Sequence, residues 1–339
     1  MRTLSPAYFS IWSYQVIAKN SMQQRMLGKT GIMVSPIGLG VMQFSGGSGV
    51  LNVAFPNLSQ EQKNTIVKAA LDGGINWFDS AEMYGFGRSE RSLSRALKAA
   101  GTKDAQVVIA TKWLPLLRTA RNIPHSIENR LRTLGGYTID LYMVHQPWSL
   151  SSPESEMDAM AELVVAGKIR SVGVSNFSAE RMRRAHRALE KRGLPLAANQ
   201  MEYSLLNRKI ETDGVLEAAK ELGVTIIAYT PLANGLLSGL YHKHPALLQA
   251  KPFFRQVMIE HQIERTRPLI AALEEIASRY RATPAQVALN WVINFQGEMV
   301  VAIPGASKVY QAEQAAGAMQ FCLTNEELAQ LDQLSRPYL

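Results

Sequence analysis

Cysteine is almost missing from this chain: among 339 residues only Cys322 carries a thiol. That excludes an intramolecular disulfide framework and any cysteine-based zinc cluster, and it fits a reducing, cytoplasmic setting. No apolar run reaches the ~18–20 residues that a membrane-spanning helix needs, so a membrane role is not expected. Aromatic residues make up 8% and charged residues 19%, against 47% apolar, a balance that excludes wholesale disorder. Acid is absent from the first sixty residues, Glu61 being the first. Residues 1–21, with Arg2, Lys19 and several serines, read as a dispensable extension ahead of a second possible start at Met22. The remaining residues, 22–339, then form one domain. The net charge of +8 (36 basic minus 28 acidic) suggests attraction to phosphate without saying whose.

From Pro36 onward short apolar runs alternate with amphipathic stretches, the signature of an α/β fold. Strands are expected to begin near Pro36, Ile75, Val107, Ile139, Ile169, Leu196, Thr225 and Met299. The first seven follow at intervals of 39, 32, 32, 30, 27 and 29 residues, which suits repeated β-loop-α units. Helices are expected over Ser89–Ala100 and Ser178–Arg192, each opened by a serine cap, and over Thr266–Tyr280 and Thr283–Asn294. Residues 231–265 read as a long loop with short helices. Arg25-Met26-Leu27, the turn Gly28-Lys29-Thr30-Gly31 and Ile32-Met33-Val34 read as a hairpin. Together these predict a (β/α)8 TIM barrel with an N-terminal β-hairpin and a long loop after strand seven. Its active site belongs where strands end and loops begin.

Several tempting patterns fail. Gly28-Lys29-Thr30 resembles the end of a P-loop, but Gln23 stands where the opening glycine belongs. Gly38-Leu39-Gly40 and Gly85-Phe86-Gly87 each open a dinucleotide fingerprint, but Gln43 and Glu90 take the third-glycine positions. His242 and His244 lack an acidic or cysteine partner nearby in sequence and read as an exposed loop pair, so no metal is expected. The basic run 181–192 lacks interleaved aromatics and reads as a solvated helix face, not a nucleic-acid surface. The sequon Asn176-Phe177-Ser178 sits at a strand end and is expected to carry no glycan.

Four polar residues remain at strand ends or just beyond them: Asp79, Tyr84, Lys112 and His145. An unperturbed tyrosine has a pKa near 10, poorly matched to proton transfer at neutral pH. A lysine ammonium beside it lowers that value, and an aspartate keeps the lysine charged and oriented. Tyr84 backed by Lys112 and Asp79 is thus a candidate general acid, and His145 can position a carbonyl oxygen. No serine or cysteine in the set is paired with a base, which favours reduction of a polarised carbonyl over nucleophilic catalysis. Taken singly, each residue also suits a blander role: a cap, a loop contact, or packing.

The segments RMLGKTGIMVSPIGLG, GGINWFDSAEMYGFGRSE, ATKW, IDLYMVHQP, GKIRSVGVSNFS, NQMEYSLLNR, AYTPLANGLLSG and VVAIPGAS carry a resemblance to the aldo-keto reductase family. It covers Gln24 to Leu334 and is closest to bacterial and plant-plastid members. The resemblance implies a catalytic tetrad of Asp79, Tyr84, Lys112 and His145 and an NADPH/NADP+ cofactor. It implies that Ser175, Asn176 and Gln200 hold the nicotinamide carboxamide and that Tyr229 stacks on the ring. It also implies that Thr230, Pro231, Leu232, Gly235, Leu237 and Gly239 belong to the loop around the pyrophosphate. Ile303, Gly305, Ala306, Ser307, Lys308, Gln311 and Gln314 match the adenosine 2′-phosphate site. Two departures stand out: Ser307 replaces a common arginine or lysine, and Ala315 replaces a common adenine-binding asparagine.

The partner implied is a small-molecule carbonyl compound reduced to an alcohol, with the oligomeric state left open. Phe44, Trp113 and Trp148 are expected to line an apolar mouth, which favours aromatic or extended aliphatic carbonyls over small charged sugars. The chain also resembles relatives that bind the nucleotide and accompany a membrane channel, so a regulatory subunit is the alternative. Such relatives keep the tetrad, and only turnover separates the two readings.

Overall fold

Gly28 shows how the chain begins its fold. Its φ is +54°, and a Cβ there would lie 2.6 Å from the Ala197 carbonyl oxygen, so only glycine lets the turn seat against the barrel. The turn joins β1 (Arg25–Met26) to β2 (Met33–Val34), paired antiparallel, as the sequence predicts. Leu27, Ile32 and Val34 plug the barrel floor. The Arg25 guanidinium donates to the carbonyls of Ile293 and Val300 and to Asn294 Oδ1, which anchors the hairpin. A computed structural model of the chain describes residues 23–46, 57–250 and 253–339. The expected extension, 1–21, lies outside the described residues.

Eight parallel strands follow at the expected places: β3 (Leu39–Gly40), β4 (Trp77–Asp79), β5 (Val108–Trp113), β6 (Leu141–Val144), β7 (Ser171–Ser175), β8 (Leu196–Glu202), β9 (Thr225–Tyr229) and β10 (Val300–Ala302). Each pairs with its neighbour in sequence. Bridges Ile37↔Ala302 and Gly40↔Gly305 join the first to the last, so the sheet closes into a barrel. Side chains alternate across it. Trp77, Val108, Ala110, Leu141, Met143, Ala198, Ile227 and Val301 pack inside. Phe78, Ile109, Trp113, Tyr142, Val144, Ile226 and Val300 pack outward under the helices.

The helical layer comprises α1 (Gln60–Asp72), α2 (Arg88–Ala99), α3 (Ile123–Leu134), α4 (Pro153–Val165), α5 (Ala179–Glu190), α6 (Val215–Leu222), α7 (Leu240–Lys243), α8 (Phe253–Tyr280), α9 (Pro284–Asn294), α10 (Val309–Gly317) and α11 (Asn325–Ser335). Ser178 caps α5 and Thr283 caps α9, with Pro284 at the first helical position, as expected. Ser89 does not cap α2. It lies inside the helix, buried, and its hydroxyl donates to the Val41 carbonyl at 2.6 Å; Gly87 occupies the cap position. The long loop after β9 is present, but α8 begins at Phe253 rather than Thr266 and runs through Pro268. A proline removes one backbone donor without forbidding a helix that is packed in place.

The basic run along α5 and just past its end is laced to its neighbours. Arg183 pairs with Glu221 on α6 at 2.6 Å, Arg184 with Glu154 on α4 at 2.8 Å, and Arg192 with Glu162 on α4. No helix of the described residues is long and apolar enough to cross a membrane.

Candidate active site

Strand alternation decides which side chains meet. Asp79 ends β4 pointing inward, two residues after Trp77, and Lys112 points inward on β5, two residues after Ala110. Lys112 Nζ donates to Asp79 Oδ1 at 2.5 Å and to the Ser80 carbonyl at 2.8 Å. Both side chains are buried. Burial alone pulls Lys112 down, but Asp79 and Tyr84 outweigh it and raise the ammonium above the usual lysine value. Lys112 therefore stays charged.

Tyr84 reaches the pair from the loop after β4. The next three residues, Gly85, Phe86 and Gly87, all have left-handed backbone, with φ of 71°, 52° and 93°. A Cβ on Gly85 would lie 2.9 Å from the Ser45 carbonyl oxygen, so the loop is pressed against residue 45. Lys112 Nζ sits 5.2 Å from the Tyr84 ring centroid, close enough for its charge to act on the phenol. The sequence suggests a lowered tyrosine pKa, yet the site holds it above 10. Burial raises it first, Lys112 pulls it back, and the Asp79 carboxylate pushes it up again. An ammonium already balanced by a carboxylate at 2.5 Å lends the phenol little net positive field. Tyr84 is thus a protonated phenol at neutral pH.

His145 follows β6 directly and meets Tyr84 edge-on, ring centroids 5.7 Å apart at 85°. Burial, and then Lys112, push its pKa down to about 3. The imidazole is neutral, and its buried Nδ1 has no partner among the described residues. A buried polar atom without a partner is costly unless a ligand satisfies it.

The residues expected to hold the nicotinamide cluster on the next strands. Gln200 on β8 donates to Asp79 Oδ2 at 2.9 Å. Ser175 ends β7, and its hydroxyl donates to the Gln200 carbonyl at 3.0 Å. Asn176, at φ 59°, donates to Ser175 Oγ at 3.0 Å and accepts from the Tyr229 hydroxyl at 3.0 Å. Burial, and then Glu202, push the Tyr229 pKa up to about 12, so that hydroxyl also stays protonated. Thr230, Ala233, Asn234, Gly235 and Gly239 all have positive φ in the segment after β9. Strained backbone of this kind collects at ligand-binding loops. Pro231 and Leu237 are buried beneath it, while Leu232 packs on the core edge.

After β10, Ile303 bonds back to the Ala228 carbonyl at 3.0 Å, and a Cβ on Gly305 would lie 2.3 Å from Gln43 Nε2. Gln311 Oε1 accepts from the amides of Ser307 and Lys308 and from the Ser307 hydroxyl, at 2.8, 3.1 and 3.2 Å. Its carbonyl therefore shapes this loop; Lys308 is exposed, and Gln311 and Gln314 are half-buried. Ala306 and Ala315 are buried in the core.

The expected apolar mouth needs correction. Trp113 is fully buried, facing outward from the barrel because it directly follows inward-facing Lys112, and its indole donates to Asn122 Oδ1 at 3.0 Å. Phe44 is also fully buried, in the layer between sheet and helices. Of the three, only Trp148 stands exposed. Sequence reasoning overlooked Glu82 and Arg118, ion-paired at 2.9 Å beside Tyr84; an acid two residues before the tyrosine was the only local signal. His242 bonds Thr266 Oγ1 at 2.9 Å, and no metal-holding cluster occurs among the described residues.

A barrel whose strand ends gather a phenol, a paired ammonium and a neutral imidazole is the framework of a carbonyl oxidoreductase. The family model for the aldo/keto reductase family matches residues 36–336. Aldo-keto reductase str7 of Strobilurus tenacellus is 35% identical over 321 residues, covering 92% of this chain and 91% of the relative. The chloroplastic pyridoxal reductase of Arabidopsis thaliana is 33% identical, covering 89% and 83%. Among solved structures, an aldo-keto reductase from Klebsiella pneumoniae in complex with NADPH superimposes with a TM-score of 0.71 at 27% identity, covering 92% and 95%. The chain belongs to the aldo/keto reductase family and is an NAD(P)H-dependent oxidoreductase.

Proposed function

We propose that the protein reduces aldehydes or ketones to alcohols with NADPH, using Tyr84 as general acid. The observation that carries this reading is the buried Asp79–Lys112 pair beneath a protonated Tyr84, with neutral His145 set edge-on against it. The residues fit the cofactor. Ser175, Asn176 and Gln200 offer the paired donors and acceptors a carboxamide needs, and the left-handed segment 230–239 lies next to Tyr229. Ser307, Lys308 and Gln311 suit a 2′-phosphate. NADPH supplies the hydride when bound.

The chain's own residues then handle the proton. Neutral His145 offers a ring N–H toward the substrate carbonyl oxygen and fixes its approach. Tyr84 donates its phenolic proton to that oxygen as it becomes an alkoxide. Lys112 stabilises the phenolate left behind, and Asp79 keeps Lys112 charged and aimed. A raised resting pKa suits this direction, since reduction needs a proton held ready at neutral pH. The single barrel domain of residues 22–339 contains every group named.

Steady-state NADPH oxidation with a panel of aromatic aldehydes tests the reading. Tyr84→Phe is expected to lower turnover by ~10²–10⁴-fold while NADPH affinity stays close to wild type. Near wild-type turnover in that variant would remove Tyr84 as the acid. Absence of turnover in the wild type would leave nucleotide binding alone, as in a regulatory subunit.

A further inference from the structure

Six large apolar side chains stay exposed on the three consecutive loops after β4, β5 and β6: Met83, Phe86, Leu116, Leu117, Trp148 and Leu150. These loops carry or adjoin Tyr84, Lys112 and His145. Apolar surface gathered in this way marks a binding region more often than an accident of composition. Two of the six also stand on backbone that bulky residues avoid, Phe86 at φ 52° and Leu117 at φ 55°. The chain accepts both strain and apolar exposure to hold them outward.

One residue ties these loops together. Arg118 Nη1 donates to both oxygens of Glu82, at 2.9 and 3.0 Å, and to the Leu114 carbonyl at 3.2 Å. Glu82 is buried, and its Oε2 also accepts from the Leu114 amide at 2.9 Å. The Arg118 carbonyl accepts from the Leu150 amide at 2.9 Å and from Ser149 Oγ at 3.4 Å. Its side chain thus reaches the loop after β4, its backbone holds the loop after β6, and it belongs to the loop after β5. Glu82 balances its charge, so the tie adds no net charge to the entrance.

We infer that Arg118 is a positioning residue for substrate selection: with Glu82 it locks the three loops into a preset apolar entrance. That entrance admits a carbonyl borne on an uncharged apolar body, aromatic or long-chain, in preference to a polyhydroxylated or carboxylated one. Preset loops spare the ordering cost at binding, and the gain grows with the apolar area the substrate covers. The inference rests on the carbonyl-reductase reading.

The test uses the full chain with NADPH, 2-naphthaldehyde and glyceraldehyde, together with amide hydrogen exchange. Arg118→Ala is expected to raise KM for 2-naphthaldehyde about tenfold more than KM for glyceraldehyde. It should also speed exchange in residues 114–119 and 146–151 while β8 stays protected. Because Arg118→Ala strands the buried Glu82 charge, Glu82→Gln combined with Arg118→Ala repeats the test without it. Arg118→Lys, which keeps the charge, should recover part of the 2-naphthaldehyde KM. Equal KM shifts for the two aldehydes, or loop exchange matching wild type, would overturn the inference while leaving the reductase reading intact. A wild type that oxidises NADPH with no aldehyde would overturn the reductase reading, and this inference with it, even if the loops loosen.

Discussion

Gln200 Nε2 on β8 donates to Asp79 Oδ2 on β4 at 2.9 Å, across the inside of the barrel. Lys112 takes the other oxygen, so both halves of the buried carboxylate are satisfied. The amide that the family resemblance assigns to the nicotinamide is therefore also a clamp on the buried Asp79 carboxylate. A cofactor held by Ser175, Asn176 and Gln200 would sit against the same hydrogen-bonded set that keeps Lys112 aimed at Tyr84.

His145 makes stability depend on acid. Its pKa is near 6.5 in an unfolded chain and about 3 in the fold. A folded value below the unfolded one means the unfolded chain takes up the proton first. This stability is full above pH 6.5 and is lost as pH falls, by ~1.4 kcal/mol per unit down to about pH 3. In urea melts the stability of wild type minus that of His145→Gln should fall by about 2 kcal/mol between pH 6.5 and 5. A difference independent of pH would show that folded His145 accepts the proton.

Glu156 on α4 has the opposite sign. Burial pushes its carboxyl up to about 7, against Ser149 and Arg181, the latter 3.9 Å away. With the folded value above the unfolded one, the folded chain holds the proton longer, and stability is lost as pH rises from about 4.5 to 7. Glu156→Gln should match wild type near pH 5 and exceed it by about 2–3 kcal/mol at pH 8. A variant less stable than wild type at pH 8 would mean that Arg181 compensates the charge.

Lys308 should decide cofactor choice. No acid occurs between Ile303 and Ala312, and the loop is shaped by Gln311, so a 2′-phosphate meets a cation without a competing carboxylate on that loop. NADPH should bind at least about tenfold tighter than NADH, and Lys308→Ala should narrow the gap mainly by weakening NADPH. Fluorescence titration of both nucleotides checks this; an unchanged ratio would place phosphate recognition elsewhere.

Removing residues 1–21 should leave a folded, active enzyme, because the barrel floor is closed by the hairpin that Arg25 anchors. The thermal midpoint should stay within about 2 °C of the full chain. Loss of the cooperative transition would make the extension structural.

The eight strands, the hairpin and the order Asp79, Tyr84, Lys112, His145 were legible because they rest on local periodicity and strand-end position. Trp113 was legible too, had alternation been applied: the residue after an inward-facing lysine must face the helices. Ser89 misled because a serine near a helix start resembles a cap whether its hydroxyl meets the helix amides or, as here, the Val41 carbonyl. The helix expected over Thr266–Tyr280 instead begins at Phe253, since isolated propensity cannot see the packing that carries a helix through Pro268.

What the sequence determined alone is thus the set of elements and the chemical inventory at the strand ends. Tertiary structure alone decided the relationships among residues far apart: Gln200 with Asp79, 121 positions away, and Arg118 with Glu82, 36 away. It also decided the resting state of Tyr84, because burial and the balanced Asp79–Lys112 charge act through space. No spacing along the chain encodes a field that exists only once the barrel closes.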